Sequence, residues 1–411
     1  TISRHIVRTS EQSFQLNDIE LISRIDQRGI EHITLQLNHS SGRLRADGFA
    51  YLGPGLRTNL AFDWSLHLSE AEAIAGRAQF SGNRKELVFD QQTSGNLIST
   101  ARVTIIDGFN QPKLALAGHL TSMHLPSLSR LQLSDTQFDL KGNTDQLVSS
   151  VNGTLHLENQ SVIGFDLEGT VDQQQAQIKQ LSVSTAAGIA EFRGMLSWNQ
   201  GKKHWQGTVT SKAFATNLFH PLLPEQVSGV LQLSGSQSDQ LYLEFDSEDL
   251  RGQLRGRLFN ATLSGRWQDN TLFMKQLNGT MGDSRFSVSG IVGTEMLDTN
   301  FTLETPDLAR LIPGIGGSFE VTGELSGTPE QPSLHTRGEG VNLSYSGLTV
   351  AGLSFTINMD QGVFEADNNR IDVNGLQHPS IDLDTLQLMA QGHWKQPQIS
   401  IGAQNKQASI S

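Results

Sequence analysis

Cysteine is absent from the 411 residues. That removes disulfides and thiolate metal sites, and it fits either the cytosol or an exported protein that does without disulfides. No apolar run reaches about eighteen residues, so nothing reads as a membrane-spanning helix, and no signal peptide is recognisable. The chain opens on Thr1 rather than Met, which reads as a piece of something longer whose anchor or export signal lies outside it. Basic residues are outnumbered, 30 Lys plus Arg against 42 Asp plus Glu, for a formal charge of −12. Nucleic acid needs a basic stripe and anionic head groups attract polybasic segments, so neither is a direct partner. The acidity serves solubility.

Catalytic signatures are missing as well. There is no HExxH, no GxSxG elbow, no phosphate-binding GxxxxGK[ST] and no GxGxxG. The run Gly314-Ile315-Gly316-Gly317 misses the dinucleotide spacing. His119 and His124 are the closest suggestive histidine pair, but strand alternation puts them on opposite faces, which gives no metal geometry. Two acidic clusters invite calcium, Asp367-Asn368-Asn369 and Asp382-Leu383-Asp384. An oxygen cage needs more converging ligands than either offers. The first reads as a turn between Phe364 and Ile371, the second as the wet face of a strand whose dry face carries Ile381 and Leu383. Asn152-Gly153-Thr154 and Asn278-Gly279-Thr280 read as Asn-Gly turns. The tryptophans (Trp64, Trp198, Trp205, Trp267, Trp394) read as strand packing rather than a sugar platform. No catalytic residue, metal ligand or cofactor is assigned, and the chain is not read as an enzyme.

What the chain has in quantity is glycine and alternation. Its 40 glycines offset an apolar content of only 36%, the balance of a many-stranded, turn-rich protein. Period-two alternation marks strands with one dry face. Leu60, Phe62, Trp64, Leu66 and Leu68 keep it without a miss. Phe165 and Leu167 continue it, then Phe192 with Leu196 and Trp198. Leu231 and Leu233 follow, then Leu241, Leu243 and Phe245, with Leu263 beyond. Phe286 and Val288, Phe301 and Leu303, Phe319, Val321 and Leu325, and finally Leu353, Phe355 and Ile357 complete the set. Turns such as Ser81-Gly82-Asn83 and Lys141-Gly142-Asn143 recur at the spacing of an antiparallel all-β chain. Helical pattern is confined to residues 69–75 and to short turns near Leu218 and Leu308.

The stretch from Phe301 to Leu334 repeats. Its Pro306-Asp307-Leu308-Ala309-Arg310-Leu311 turn, the breaker that follows and the strand after it have counterparts about ninety residues upstream. Leu218 matches Leu308, Pro224 matches Pro313, Gly229 matches Gly317 and Leu231 matches Phe319. A fainter echo joins Lys179-Gln180-Leu181 to Lys275-Gln276-Leu277, and Gly188 and Phe192 to Gly282 and Phe286. Such periodicity means stacked units that bury apolar faces only with their neighbours' help. The approximate units are 1–120, 121–216, 217–306 and 307–411 within one continuous body. Without helices to cover the sheet, two architectures remain: a string of β-sandwich domains, as in an adhesin or surface protein, or one long sheet folded into a trough with its apolar faces inward. A β-solenoid polysaccharide enzyme lacks a carboxylate pair to support it.

Thr305-Pro306-Asp307-Leu308-Ala309-Arg310-Leu311-Ile312-Pro313, then Gly317-Ser318-Phe319 and Leu325-Ser326-Gly327-Thr328-Pro329, resembles the repeating signature of the TamB family, the inner-membrane subunits of the bacterial translocation and assembly module. Val227-Ser228-Gly229-Val230-Leu231, Leu250-Arg251-Gly252-Gln253-Leu254 and Ala261-Thr262-Leu263-Ser264-Gly265 agree. The match is specific over about residues 175–360 and compositional before 120, which suggests the middle of the periplasmic body. The resemblance implies an elongated, mostly antiparallel sheet curled into a U-shaped hydrophobic groove, similar to AsmA-like bridge proteins. Acyl chains of phospholipids would lie in that groove between inner and outer membranes of a Gram-negative cell. The family is also tied to outer-membrane protein assembly with a TamA barrel, reached through parts outside this chain. A chaperone groove for unfolded outer-membrane strands is the alternative cargo reading. The alternating residues named above, apart from Leu68, Leu196 and Trp198, are the expected groove lining, from Leu60 to Ile357.

Overall fold

The computed structural model describes residues 5–8, 13–16, 18–26, 29–51, 55–69, 72–108, 111–124, 131–143, 145–157, 161–220, 223–312, 314–365, 368–405 and 408–410. Among them there is no α-helix. Two single turns of 3-10 helix, Thr216–Leu218 and Leu308–Arg310, interrupt a succession of strands. Both lie where the repeated Asp/Asn-Leu turn is expected.

The chain divides into two compact units, Thr1–Trp198 and Asn199–Ser411. In the first, a short hairpin pairs His5–Arg8 with Ser13–Leu16. From Asp18–Asp26 to Ile189–Asn199 each strand then pairs antiparallel with the next. The second unit does the same from Lys202–Phe214 to Ala408–Ile410. Val363–Phe364 and Arg370–His378 act as two halves of one strand, since both lie between Leu348–Asp360 and Ile381–His393. The expected all-β, antiparallel sheet is therefore what the structure shows. Pairing runs through the anticipated repeat boundaries: Leu116 faces Leu140, Val209 faces Leu231 and Leu303 faces Val321.

Local chemistry sets the hairpins. Asn83 Oδ1 accepts from the amides of Lys85 and Glu86, and Asn143 Oδ1 from those of Asp145 and Gln146. Asp172 does the same with Gln174 and Gln175 at 2.8 Å each. The Gln174 amide chiefly holds its carboxyl below the usual range, assisted by Gln175. These side chains replace turn hydrogen bonds that the backbone alone would leave open.

The fainter repeat proves to be a repeated β-bulge. Lys179-Gln180 is the point where register slips between Ile178 and Leu181, and Lys275-Gln276 is where it slips between Met274 and Leu277. Opposite each bulge stands a glycine, Gly169 and Gly265. A Cβ at either would come within 2.6 or 2.7 Å of a carbonyl oxygen on the bulged strand. Lys202–Phe214 slips between Ser211 and Phe214, and Leu241–Leu254 between Ser247 and Leu250. An extra residue bends its strand and increases twist. Here the extra residues sit on the polar face, because apolar side chains resume the other face on both sides.

Three expectations need correction. The helical pattern at residues 69–75 is absent: Ser69 ends one strand, and Glu72–Asn83 is the next, with Ile74 facing Leu66 and nearly buried. Ala- and Glu-rich propensity is a weak prior that strand pairing overrides. Asn152-Gly153 and Asn278-Gly279 are not turns but strand interior. Their glycines make room for rings, as described below. His119 and His124 share the polar face, since the slip between Leu120 and Ser122 changes the parity. His119 bonds Asp135 at 2.8 Å. In the acidic cluster, Asp367 lies outside the described residues. Asn369 there is a structural clamp, accepting from the Asn358 amide at 2.7 Å and donating to the Glu365 carbonyl at 2.6 Å.

Candidate functional site

Reading across the strands in register shows which side chains share a face. In the second unit one row runs Trp205, Gly235, Leu243, Trp267. The next runs Leu233, Phe245, Gly265, Met274. Another joins Leu263, Leu277, Val288, Phe301, Gly323, Thr336 and Ile357. A fourth carries Phe286, Leu303, Val321, Gly338, Phe355, Ile371, Leu388 and Ile401. A fifth holds Phe319, Gly340, Leu353, Val373, Leu386 and Ala403. Leu231, Leu241 and Leu325 fall on the same face by alternation. No charged residue occurs in these rows. In the first unit Leu60, Phe62, Trp64 and Leu66 share a face with Phe80, Ala78, Gly76 and Ile74. Phe165, Leu167 and Phe192 share one with Val183 and Leu181.

Each unit thus gathers its expected lining residues on one apolar face. Sequence reading misses several neighbours, including Trp205, Trp267, Leu277, Leu386 and Leu388. The first two stand out in the sequence only as packing tryptophans. Leu386 and Leu388 escape because the alternation opened by Ile381 and Leu383 changes parity before reaching them.

Glycine and aromatic rings alternate across this face. A Cβ on Gly338 would come within 2.5 Å of the Phe355 ring, on Gly279 within 2.4 Å of Phe286, and on Gly323 within 2.6 Å of Phe301. In the first unit Gly76 stands in the same relation to Trp64, at 2.5 Å. Each ring therefore lies along the sheet over a glycine instead of standing away from it. Phe319 and Phe355 stack at 6.1 Å with 22° between planes.

Hydroxyls on the same face are satisfied within the sheet. Ser247 Oγ donates to the Val230 carbonyl at 2.6 Å, Thr299 Oγ1 to that of Ile291 at 2.9 Å and Thr336 Oγ1 to that of Thr322 at 3.0 Å. Ser284 and Thr305 bond to each other at 2.7 Å.

The opposite face is polar and wet. Arg285 faces Glu304, Glu304 faces Glu320, and Glu320 faces Glu339. A depression opens on this side, lined by Asn278, Ser287, Thr302, Glu304, Glu320 and Thr322 together with Phe286, Leu303 and Val321 of the fourth row. Burial pushes the Asp372 carboxyl up, but hydrogen bonds from Arg370 and Gln387 outweigh it and hold the group below its usual range.

The apolar face has no second layer over most of its extent. All the expected lining residues are half-buried except Leu66 and Leu241, which are exposed. The largest fully buried side chains are only Thr305 and Ser284. A sandwich core would instead bury leucines and phenylalanines completely. Accessible surface totals 25,809 Å². Two separate compact bodies of half the chain's mass would together expose about 19,000 Å².

Residues 2–411 match the family described as TamB, N-terminal domain. The chain belongs to the TamB family. The match takes in the first 120 residues, where the sequence resembles the family only in composition. Membership implies a role in outer-membrane biogenesis and lipid transport, and the family is not enzymatic. No helix among the described residues is long and apolar enough to cross a membrane.

Proposed function

We propose that the apolar face is a conduit for phospholipid acyl chains, and that the sheet curls around them as a groove while head groups stay in water. The observation that carries this reading is the set of uncharged rows running from strand to strand with no layer over them. Exposed apolar surface on this scale is unfavourable for a free protein. An acyl chain covering it gains about 0.8 kcal/mol per buried CH₂. The lining offers hydroxyls already committed to the sheet and no basic residues converging on the rows, so lipids differing in head group bind alike and slide. An unfolded β-strand, the competing cargo, would bring amide groups that this lining leaves without partners, at a cost of roughly 1–3 kcal/mol each. A tandem sandwich would need the closed cores that are missing.

In this reading the chain is a length of a longer periplasmic bridge, a middle stretch of its body built from units of about ninety residues. The inner-membrane anchor and the contact with a TamA-like barrel lie in other parts of the protein. Native mass spectrometry of the purified chain, paired with uptake of a fluorescent fatty acid, tests the proposal. Bound phospholipid of mixed head groups and saturable uptake are expected. A lipid-free protein that takes up no probe overturns it.

A further inference from the structure

The repeated Pro-Asp-Leu turn is the one sequence signature that a bare conduit leaves without a task. The segment 306–312 leaves the strand Leu297–Thr305 at one rim of the second unit and turns once as 3-10 helix before the next strand begins at Ile315. It does not simply join two strands, because it reaches back over neighbouring hairpins. Arg310 pairs with Asp283 in the turn after Thr271–Met281, and the Leu311 carbonyl accepts from Arg255 Nη1 at 3.1 Å in the turn after Leu241–Leu254. The segment therefore crosses the ends of two hairpins that precede it in the sheet.

Burial shows what lies beneath. Most of the apolar face is half-exposed, yet Met281, Ser284 and Thr305, its residues at this rim, are buried at 8%, 0% and 2% exposure. Leu308 on the segment is buried with them at 8%. The apolar face is covered here, as it is again at Met359 and Val373, while most of its rows stay half-exposed. The roof is fastened lightly. Leu308 is its only buried residue; its ion pair to Asp283 involves partly exposed groups, and such pairs contribute little. Asp307 caps the turn through the Ala309 amide at 3.1 Å, which keeps the segment folded as a unit. Beyond it Gly314, just ahead of the strand that starts at Ile315, adopts φ of 85°, a conformation open to glycine that gives the chain a pivot. A rigid turn with one apolar tooth, weak surface latches and a glycine pivot is built to lift.

We propose that residues 306–312 form a lateral flap that gates entry of acyl chains to the apolar face from the rim. Closed, Leu308 occupies the place a methylene chain would take. Lifted, it exposes Met281 and the rows beyond. The upstream turn Thr216–Leu218, at the same rim, is the matching element of the preceding repeat: Ala215 beside it is buried, and Thr216 Oγ1 donates to the Pro224 carbonyl at 2.6 Å. This inference rests on the acyl-chain reading above.

The absence of native cysteine gives a clean test. Asp283→Cys with Arg310→Cys places one thiol on the flap and one on the turn it latches to. Uptake rate and equilibrium binding of a fluorescent fatty acid are measured on the full chain, oxidised and reduced. Oxidation should slow uptake at least tenfold relative to the reduced form, which has lost the Arg310–Asp283 latch and should take up probe at least as fast as the unmodified protein. Leu308→Ser, which removes the apolar tooth, should speed uptake several-fold. Equal rates for the oxidised and reduced forms overturn the flap. If the thiols fail to cross-link, Leu308→Ser alone decides, and an unchanged rate with intact folding overturns it. Absence of probe binding by the unmodified protein would instead count against the conduit itself, so the two failures are distinguishable.

Discussion

Replacing Phe355 by arginine separates an open apolar face from a closed core. Phe355 is half-buried, its ring lies over Gly338, and it stacks on Phe319. Full burial of a phenylalanine contributes about 1.5–3 kcal/mol, so half burial contributes roughly half that. The ring pair adds about 0.5–1.5 kcal/mol. An arginine here keeps its stem on the sheet and its guanidinium in water. Phe355→Arg should therefore cost about 1–3 kcal/mol, a shift in Tm of about 2–12 °C for a unit of this size. In a sandwich core the same charge would have neither water nor partner, and the unit would not fold. The companion Leu263→Arg should behave likewise, and Thr356→Arg, on the polar face, should change little. The assay is thermal unfolding by circular dichroism beside fatty-acid uptake for all three. A folded protein with impaired uptake for both inward variants fits the open face. Wholesale unfolding of the inward variants, or uptake equal to that of Thr356→Arg, refutes it.

Gly338→Ala should cost about 1–3 kcal/mol in urea denaturation, because the new methyl would meet the Phe355 ring at 2.5 Å and the Glu320 carbonyl at 2.7 Å. Deleting Lys275 leaves Met274 and Leu277 on the same face but removes the bulge that bends and twists the strand. It should destabilise more than Lys275→Ala, which should stay within about 0.5 kcal/mol of the parent. Ser284→Val or Thr305→Val alone should each cost about 1–3 kcal/mol by stranding a buried hydroxyl. The double variant should recover part of the loss, as a double-mutant cycle would read. The Asp172 carboxyl is depressed by the amides of Gln174 and Gln175. Its contribution is present above the unfolded carboxylate pKa and fades as pH falls through the folded value. Asp172→Asn should accordingly lower Tm at neutral pH and converge with the parent in acid, and convergence at neutral pH instead would contradict this.

Alternation makes the strands and the apolar face legible in the sequence. The signal is local: Leu60 to Leu68, or Phe319 to Leu325, states its face within one strand, and register merely joins such strands into rows. Whatever depends on register is hidden. Asn278-Gly279 reads as a turn because the partner that needs its missing side chain, Phe286, sits on another strand. The echo of Lys179-Gln180 in Lys275-Gln276 is visible as a repeat but not as a bulge, since the glycine that accommodates it lies opposite, at Gly169 or Gly265. The histidine parity fails for the same reason: one inserted residue reverses every face beyond it. Residues 69–75 mislead through composition, since alanine and glutamate favour helix where no partner strand competes. The roof over Met281 has no sequence sign except that its turn repeats.

The most direct measurement is site-specific photo-crosslinking in cells, with a benzophenone amino acid placed on either face of one strand pair. Phe286 and Phe355 belong to the apolar rows, and their immediate neighbours Ser287 and Thr356 point the other way. The account predicts phospholipid adducts at Phe286 and Phe355, of several head-group types, and none at Ser287 or Thr356. Adducts to polypeptide rather than lipid at the apolar positions, or lipid adducts equal on both faces, would contradict it.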